Sequence, residues 1–126
     1  MDKAELLGRT KAFSLRILKL VDAMPRTTSG RAIANQLVRS ATSIGANYRA
    51  ACRSRSRAEF AAKLGVVAEE ADETLYWLEL IRESKLLAES KISDLLREAD
   101  ELTAIFTAGR RTTARSNIKA QTSNLP

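Results

Sequence analysis

Apolar or small residues recur at steps of three and four positions along most of this chain. The strictest run lies in residues 60–81, where steps of four and three alternate without exception. This heptad spacing predicts a helix that packs in a left-handed helical bundle. The run consists of Phe60, Leu64, Val67, Ala71, Thr74, Leu78 and Ile81.

Three further segments share the helical period: residues 3–24, residues 33–52, and a segment that opens near Ser90 and frays around Gly109. The seam of residues 33–52 is narrow and rich in small side chains. Gly45 lies within it. Because glycine costs a helix about 1 kcal/mol relative to alanine, its presence predicts close packing by a neighbouring helix.

Capping signals support these boundaries. Asp2 and Glu5 have the spacing of a capping box at the start of the first helix, and Pro25 ends that helix. The sequence Ser56-Arg-Ala-Glu59 predicts a second capping box at the start of the third helix. In it the Ser56 hydroxyl accepts from the Glu59 amide, and the Glu59 carboxylate reaches back to the Ser56 amide.

The predicted helices are joined by links of only a few residues, which place consecutive helices side by side and antiparallel. With 126 residues the chain is long enough for one hydrophobic core but not for two. We therefore predict an all-α fold, an antiparallel up-down-up-down four-helix bundle over residues 1–114. A disordered C-terminal tail is predicted over residues 115–126.

Residue types on which many catalytic and metal sites depend are missing or isolated. The chain has no histidine and its five glycines stand far apart, so catalytic triads, most zinc sites and phosphate-binding glycine loops are excluded. Its single cysteine, Cys52, fits a reducing compartment. No apolar run approaches a membrane span, and the N-terminus lacks a signal-peptide pattern. We expect no cofactor, no membrane partner and a cytoplasmic location.

An acidic cluster on the third helix is the strongest remaining candidate for catalysis. Glu69 and Glu73 share one helix face, and paired carboxylates can act in acid–base chemistry or hold a metal ion. Metal sites in helical bundles also use histidine, which this chain lacks. The sequence therefore favours a solvated or interface-facing acidic stripe and a non-enzymatic protein. The cluster comprises Glu69, Glu70, Asp72 and Glu73.

Charge is segregated along the chain. Residues 1–57 carry a net charge of +9, residues 58–101 carry −7 and residues 102–126 carry +4. Residues 47–57 hold four arginines and no acid. Because guanidinium groups pair with phosphate oxygens, this stretch predicts a polyanion site with contacts mainly to phosphates. The candidate nucleic-acid-binding residues are Arg49, Arg53, Arg55, Arg57 and Lys63.

The same arginines have an alternative role. Arg49 and Arg53 can be neutralised by Glu69 or Glu73 on the adjacent antiparallel helix, or by a neighbouring subunit. The two roles do not exclude each other. Sequence-specific DNA reading is disfavoured, because the chain has no short helix-turn-helix, no zinc-ligand spacing and few aromatic residues beside the cluster.

Two other side chains near the arginines require an explanation. Cys52 lies beside Arg53, which favours a reactive thiolate, but a small buried apolar side chain is the simpler interpretation. Asn47 lies between two core positions of its helix. We expect it to find a hydrogen-bond partner, such as a carboxylate of the third helix.

The third helix carries apolar side chains on more than one face. In a four-helix monomer one of these faces remains exposed, which predicts an interface between subunits. The alternative is that all of these side chains lie inside the monomer. The candidate interface residues are Val66, Tyr76, Trp77 and Leu80.

Residues 36–81 contain a recognisable pattern: Leu-x-Arg-Ser, then Ser-Ile-x-x-Asn, then Glu-Phe and an acidic helix ending in Leu. It is formed by Leu37, Arg39, Ser40, Ser43, Ile44, Asn47, Glu59, Phe60, Glu69 and Leu78. The pattern resembles that of the four-helix bundle proteins related to those encoded in intervening sequences of 23S ribosomal RNA genes. Many relatives have Ile-x-Glu-Gly after the Asn, where this chain has the more basic Tyr48-Arg49-Ala50-Ala51.

This resemblance implies a bundle that assembles with copies of itself and carries no enzymatic residues. The family is related to the accessory variability determinant of diversity-generating retroelements, which forms a homopentamer, binds nucleic acid and works with a reverse transcriptase. We therefore expect a homo-oligomer, a pentamer by resemblance, that binds RNA or DNA without strong sequence preference. The alternative is a scaffold or partner-binding module, such as a reverse-transcriptase accessory protein, whose charges set subunit assembly.

Overall fold

The computed structural model describes the backbone of residues 1–123 and the side chains of residues 1–113. No strand occurs within that backbone. The all-α prediction is confirmed, and each predicted segment corresponds to one helix. The helices are α1 (Lys3–Asp22), α2 (Thr28–Cys52), α3 (Arg57–Glu83) and α4 (Glu89–Ser123).

Side-chain caps begin α1 and α3, as the sequence predicts. Asp2 accepts from the Glu5 amide at 2.8 Å, and Ser56 accepts from the Glu59 amide at 3.0 Å. The second half of the α3 capping box is shifted by one residue. The Glu59 carboxylate accepts from the Arg55 amide at 3.4 Å rather than from the Ser56 amide.

The helix ends differ from the sequence expectation at α4. Gly109 does not end or fray the helix, because α4 continues through it to Ser123. A Cβ at Gly109 would lie 3.4 Å from Leu64 Cδ2, so this glycine marks a close approach of α3 and α4. The predicted tail begins inside this helix at residue 115, its residues 124–126 lie outside the described part of the chain, and its disorder stays a prediction.

Consecutive helices meet at positions roughly equidistant from the link between them. Ser40 of α2 contacts Thr74 of α3, and Leu64 of α3 faces Gly109 of α4. Such contacts are those expected of antiparallel neighbours joined by short links. Within the described residues α1 packs on α2, α2 on α3 and α3 on α4, whereas α1 and α4 touch less than these consecutive neighbours do. The result is a four-helix bundle.

A single hydrophobic core runs along the bundle. Phe13, Ile17, Leu37, Leu78 and Phe106 are each at most 1% exposed. Full burial of such a side chain stabilises the fold by about 1.5–3 kcal/mol relative to an exposed one. Six of the seven heptad positions of α3 are buried, and the seventh, at the helix start, is half-buried. The periodic pattern therefore gave the correct core face.

Two buried hydroxyls are satisfied within this core. Thr74 Oγ1 lies 2.9 Å from Ser40 Oγ and 2.8 Å from the carbonyl oxygen of Glu70. Ser40 Oγ also lies 3.3 Å from the carbonyl oxygen of Leu37. The polar seam position therefore joins α2 to α3 without leaving a buried donor unpaired.

No helix among residues 1–123 is both long and apolar enough to span a bilayer.

Candidate nucleic-acid interface

The predicted arginine cluster lies at one end of the bundle, around the turn between α2 and α3. Arg49 is in the last turn of α2, Arg53 is the residue that caps this helix, Arg55 lies in the link and Arg57 begins α3. All four side chains are exposed. Packing therefore leaves these guanidinium groups facing solvent.

Arg49 and Arg53 lie on the rim of a groove between α1 and α2. The groove has a volume of about 470 Å³. Lys3 and Lys11 of α1 stand on the same groove, so it is bordered by four cations. Its remaining lining is small, hydroxylated or apolar: Leu7, Thr10, Ser14, Gly45, Ala46 and Cys52.

Arg55 and Arg57 lie on a second groove, of about 410 Å³, around the α2–α3 turn. It shares Lys3 and Cys52 with the first groove, so the two adjoin. We call their combined cationic rim the basic end. It consists of Lys3, Lys11, Arg49, Arg53, Arg55 and Arg57.

Carboxylates line neither groove of the basic end, as far as the described side chains show. No Asp or Glu among residues 1–113 lines either groove, and none of the six cations forms a salt bridge with a side chain in that range. Residues 102–126 contain no Asp or Glu in their sequence. None of the six cations is therefore directly paired with a described side chain, and the Glu59 carboxylate near Arg55 accepts from the Arg55 backbone amide and pairs with Lys63.

Of the two acids proposed as alternative partners for Arg49 and Arg53, Glu73 is used elsewhere, and Glu69 is exposed without a salt bridge to any described side chain. Arg39 pairs with Glu70 at 3.3 Å and with Glu73, and Trp77 Nε1 donates to Glu73 at 3.3 Å. Attraction to Glu70, and then to Glu73, raises the pKa of Arg39. Pairing of Arg49 or Arg53 with Glu69 or Glu73 inside one chain is therefore wrong, and pairing across subunits stays a prediction.

A second ion pair ties α1 to α4, which touch less than the consecutive helices do. The Arg9 guanidinium donates to Glu98 at 2.5 and 2.7 Å and to Glu101 at 2.8 Å. Hydrogen bonding to Glu98 is the largest cause that raises the pKa of Arg9. Arg9 and Glu98 are largely shielded from solvent, so this bidentate pair is a structural one.

The surroundings of Lys63 differ from those of the four arginines. Its ammonium group is 3.8 Å from the Glu59 carboxylate one turn earlier in α3. It lines neither groove of the basic end. The sequence identified a basic residue near the cluster, but the structure gives it an acidic neighbour.

The floor beneath the arginines is apolar and aromatic. The Tyr48 ring is 6% exposed and packs against Phe106, with ring centroids 5.2 Å apart. Burial raises the pKa of Tyr48 to about 12, with a smaller contribution from the neighbouring Cys52 thiol. Cys52 itself is half-buried against the core, so the expectation of a small buried apolar side chain is only partly correct.

Asn47 does not pair with α3. Its side-chain amide donates to the carbonyl oxygen of Ser43, one turn earlier in the same helix, at 2.8 Å. The expectation of a carboxylate partner from α3 is wrong. A half-buried asparagine on a helix can satisfy its donor locally, and this one does.

Gly45 faces α1, as the small-residue seam predicts. The distance between the two helices, however, does not require a glycine at this position. A Cβ at Gly45 would lie 3.5 Å from Thr10, which is an ordinary van der Waals distance. The missing side chain instead leaves room in the groove between Lys11 and Arg49. Gly45 therefore shapes the groove floor.

The acidic stripe of α3 has no metal-binding geometry in the described residues. No group of three or more His, Cys, Asp or Glu side chains in that part of the chain is arranged to hold a metal ion. Glu69 and Asp72 are exposed, whereas Glu70 and Glu73 pair with Arg39.

The predicted interface residues divide into two pairs. Val66 is 41% exposed and Tyr76 is 53% exposed, so these two do not lie inside the monomer. Trp77 and Leu80 are half-buried. Their role between subunits stays a prediction. The structure adds an exposed apolar pair on α1 that sequence analysis missed, Leu15 and Leu18.

Lys3 and Lys11 were not predicted as members of the basic end. Their spacing placed them with Leu7 and Ser14 on one flank of α1. That signal was present, but the sequence does not say which flank of α1 faces Arg49. Packing decides it.

Comparison with known proteins supports the same fold. A solved structure from Bacteroides thetaiotaomicron, described as a protein with unknown function from the S23 ribosomal protein family, is 29% identical. The match has a TM-score of 0.80 and covers 88% of this chain and 99% of that one. Curated protein sequences give no match. The family model described as 23S rRNA-intervening sequence protein matches residues 2–108, so the chain belongs to that family.

Proposed function

We propose that this protein is a non-enzymatic, self-associating helical bundle that binds RNA or DNA through its basic end without strong sequence preference. The observation that carries this proposal is the adjoining pair of grooves bordered by six cations, with no carboxylate from the described side chains between them. Unpaired guanidinium groups fit phosphate oxygens, and phosphate contacts carry no direct sequence information.

Self-association would strengthen such binding. Several copies in one assembly, five by family resemblance, present several basic ends to one strand. Once one end is bound, the others bind at a high effective concentration, so modest single-site affinity becomes strong overall binding. The exposed Val66 and Tyr76 on α3 supply an apolar surface for that assembly.

The test is a titration of fluorescently labelled RNA and DNA at several salt concentrations. If four to six phosphates are neutralised, log K falls against log salt with a slope of about −4 to −5. The double variant Arg53→Glu/Arg57→Glu loses two contacts and gains two repulsions, so its affinity falls by roughly a hundredfold at moderate salt. Equal affinity in this variant would overturn the proposal.

A scaffold without a nucleic-acid role is the second candidate, and the exposed apolar side chains of α1 and α3 favour it. In that case the basic end pairs with exposed acids of a neighbouring copy, such as Glu69 and Asp72. The same double variant then breaks the oligomer, which light scattering detects, and the unmodified protein does not bind RNA. Loss of RNA binding with an intact oligomer would instead reject the scaffold.

A further inference from the structure

The shape of the basic end restricts the kind of nucleic acid that can enter it. The first groove is bounded by α1 and α2, which pack against each other. Axes of packed helices lie about 8–10 Å apart, so a groove between them is narrow. Its volume of about 470 Å³ lies within the roughly 300–1,000 Å³ of small-molecule pockets.

A narrow groove suits one strand better than two. A duplex presents its phosphates on the outside of a wide cylinder, which can touch the rim of this groove but cannot enter it. A single strand can place its backbone between Lys11 and Arg49, over the small floor residues Gly45 and Ala46. The cations then flank the strand instead of meeting it from one side.

The second groove offers contacts that a duplex cannot use. Half-buried Phe60 lies in its wall, next to Arg55 and Arg57. Proteins that bind single strands combine a cationic groove with aromatic side chains on which unpaired bases stack. The bases of a duplex are already stacked on each other and are not available to such a ring.

A buried hydroxyl lies in the same wall. Among the described side chains, the Ser54 hydroxyl is the one polar atom that is buried without a hydrogen-bond partner. Ser54 lines the second groove, so an acceptor bound there is one candidate partner for its hydroxyl.

We propose that the two adjoining grooves hold one single-stranded segment of nucleic acid, with its phosphates along the basic end and a base against Phe60. The proposal rests on the proposed nucleic-acid function and names its substrate class. The strand runs from the α1–α2 groove, past Lys3 and Cys52, to the α2–α3 turn. Single strands are therefore bound more tightly than duplexes of equal length.

The test compares a labelled single-stranded RNA of about twelve nucleotides, within the site sizes of known single-strand binders, with the matching duplex. Fluorescence anisotropy is measured on the full chain at one salt concentration. Ala46→Trp fills the first groove without changing charge, and Ala32→Trp is its control on the same helix. Both alanines are exposed, and Ala32 lines neither groove.

We expect the single strand to bind at least about tenfold more tightly than the duplex, and Ala46→Trp to remove most of that difference. Ala32→Trp should behave as the unmodified protein. Equal or tighter duplex binding, or an unchanged preference in Ala46→Trp, would overturn the single-strand assignment. A free nucleoside monophosphate that displaces the strand as well as an unlabelled strand does would also overturn it.

A charge-reversal pair keeps the proposal testable if Ala46→Trp fails to fold. Lys11→Glu alters the first groove, and Lys19→Glu makes the same change on the same helix outside both grooves. Lys11→Glu should weaken single-strand binding about tenfold more than Lys19→Glu, and equal effects would count against the groove. Duplex preference with sensitivity to Arg53→Glu/Arg57→Glu would leave the proposed function standing and reject only this inference.

Discussion

In the N-terminal half of α2, Arg39 lies against two carboxylates of α3, whereas ten residues later Arg49 faces an open groove. The glycines of the two halves differ in the same way. Gly30 is buried against the preceding turn, and Gly45 leaves space beside α1. One helix thus has a half that is closed by its neighbours and a half that is left open and cationic.

This difference teaches how to separate structural arginines from binding arginines. Arg39 and Arg9 have acidic partners on a neighbouring helix, so their charge is used to join helices. The exposed pairs of Arg39 contribute little stability, but they occupy the acids. The basic end has no such partners among the described side chains, so its charge remains available to an external anion.

The largest expected effect comes from adding a methyl group at Gly30, where the structure leaves no space for it. In Gly30→Ala the new Cβ would overlap the carbonyl oxygen of Pro25, which is backbone and cannot move aside easily. We expect the free energy of unfolding to fall by about 3 kcal/mol, measured by urea denaturation. Gly8→Ala is the control, since no atom lies within 4 Å of its new Cβ. Similar stability of the two variants would contradict this packing.

The next effect tests whether Tyr48, which lies beneath the basic end, is shielded from water. The pKa of Tyr48 is about 12 against an ordinary 10.0, so between these values the unfolded chain has lost a proton that the folded chain keeps. Stability present below pH 10 is therefore lost as pH rises to about 12, by up to about 2–3 kcal/mol. Tyr48→Phe should lack this part of the decline. Equal pH dependence in both proteins would show that Tyr48 is not buried.

The smallest effect should have the opposite sign. Gly45→Ala places a methyl group at van der Waals distance from Thr10 and removes a helix-destabilising glycine. We expect the free energy of unfolding to rise by about 1 kcal/mol, seen as a higher urea midpoint. A loss of stability would mean that α1 approaches α2 more closely than the structure shows.

Most of the fold was predictable because its information is periodic and local. The heptad run of α3, with polar Thr74 at a buried position, gave the core face. The caps at Asp2 and Ser56 gave two helix starts. Gly109 was misread, because a glycine that ends a helix and one that lets two helices approach look alike in sequence. Its role depends on Leu64, which is distant in the chain.

The candidate site was predictable only in part, for the same reason. Its four arginines lie within nine residues of sequence, at positions 49–57, so their clustering needed no knowledge of packing. Lys3 and Lys11 join them only because α1 packs on α2 with one particular flank. The partner of Asn47 was missed because a helix can satisfy an amide by itself, at Ser43.

The most direct test compares an arginine in the N-terminal half of α2 with the arginine that caps the C-terminus of this helix. Arg39→Gln and Arg53→Gln each remove a single charge from an exposed position, and the slope of log K against log salt is measured for a labelled single-stranded RNA. We predict that Arg53→Gln reduces the magnitude of the slope by about 1, whereas Arg39→Gln leaves it unchanged. Equal reductions in the two variants, or none in either, would contradict the assignment of phosphate binding to the basic end.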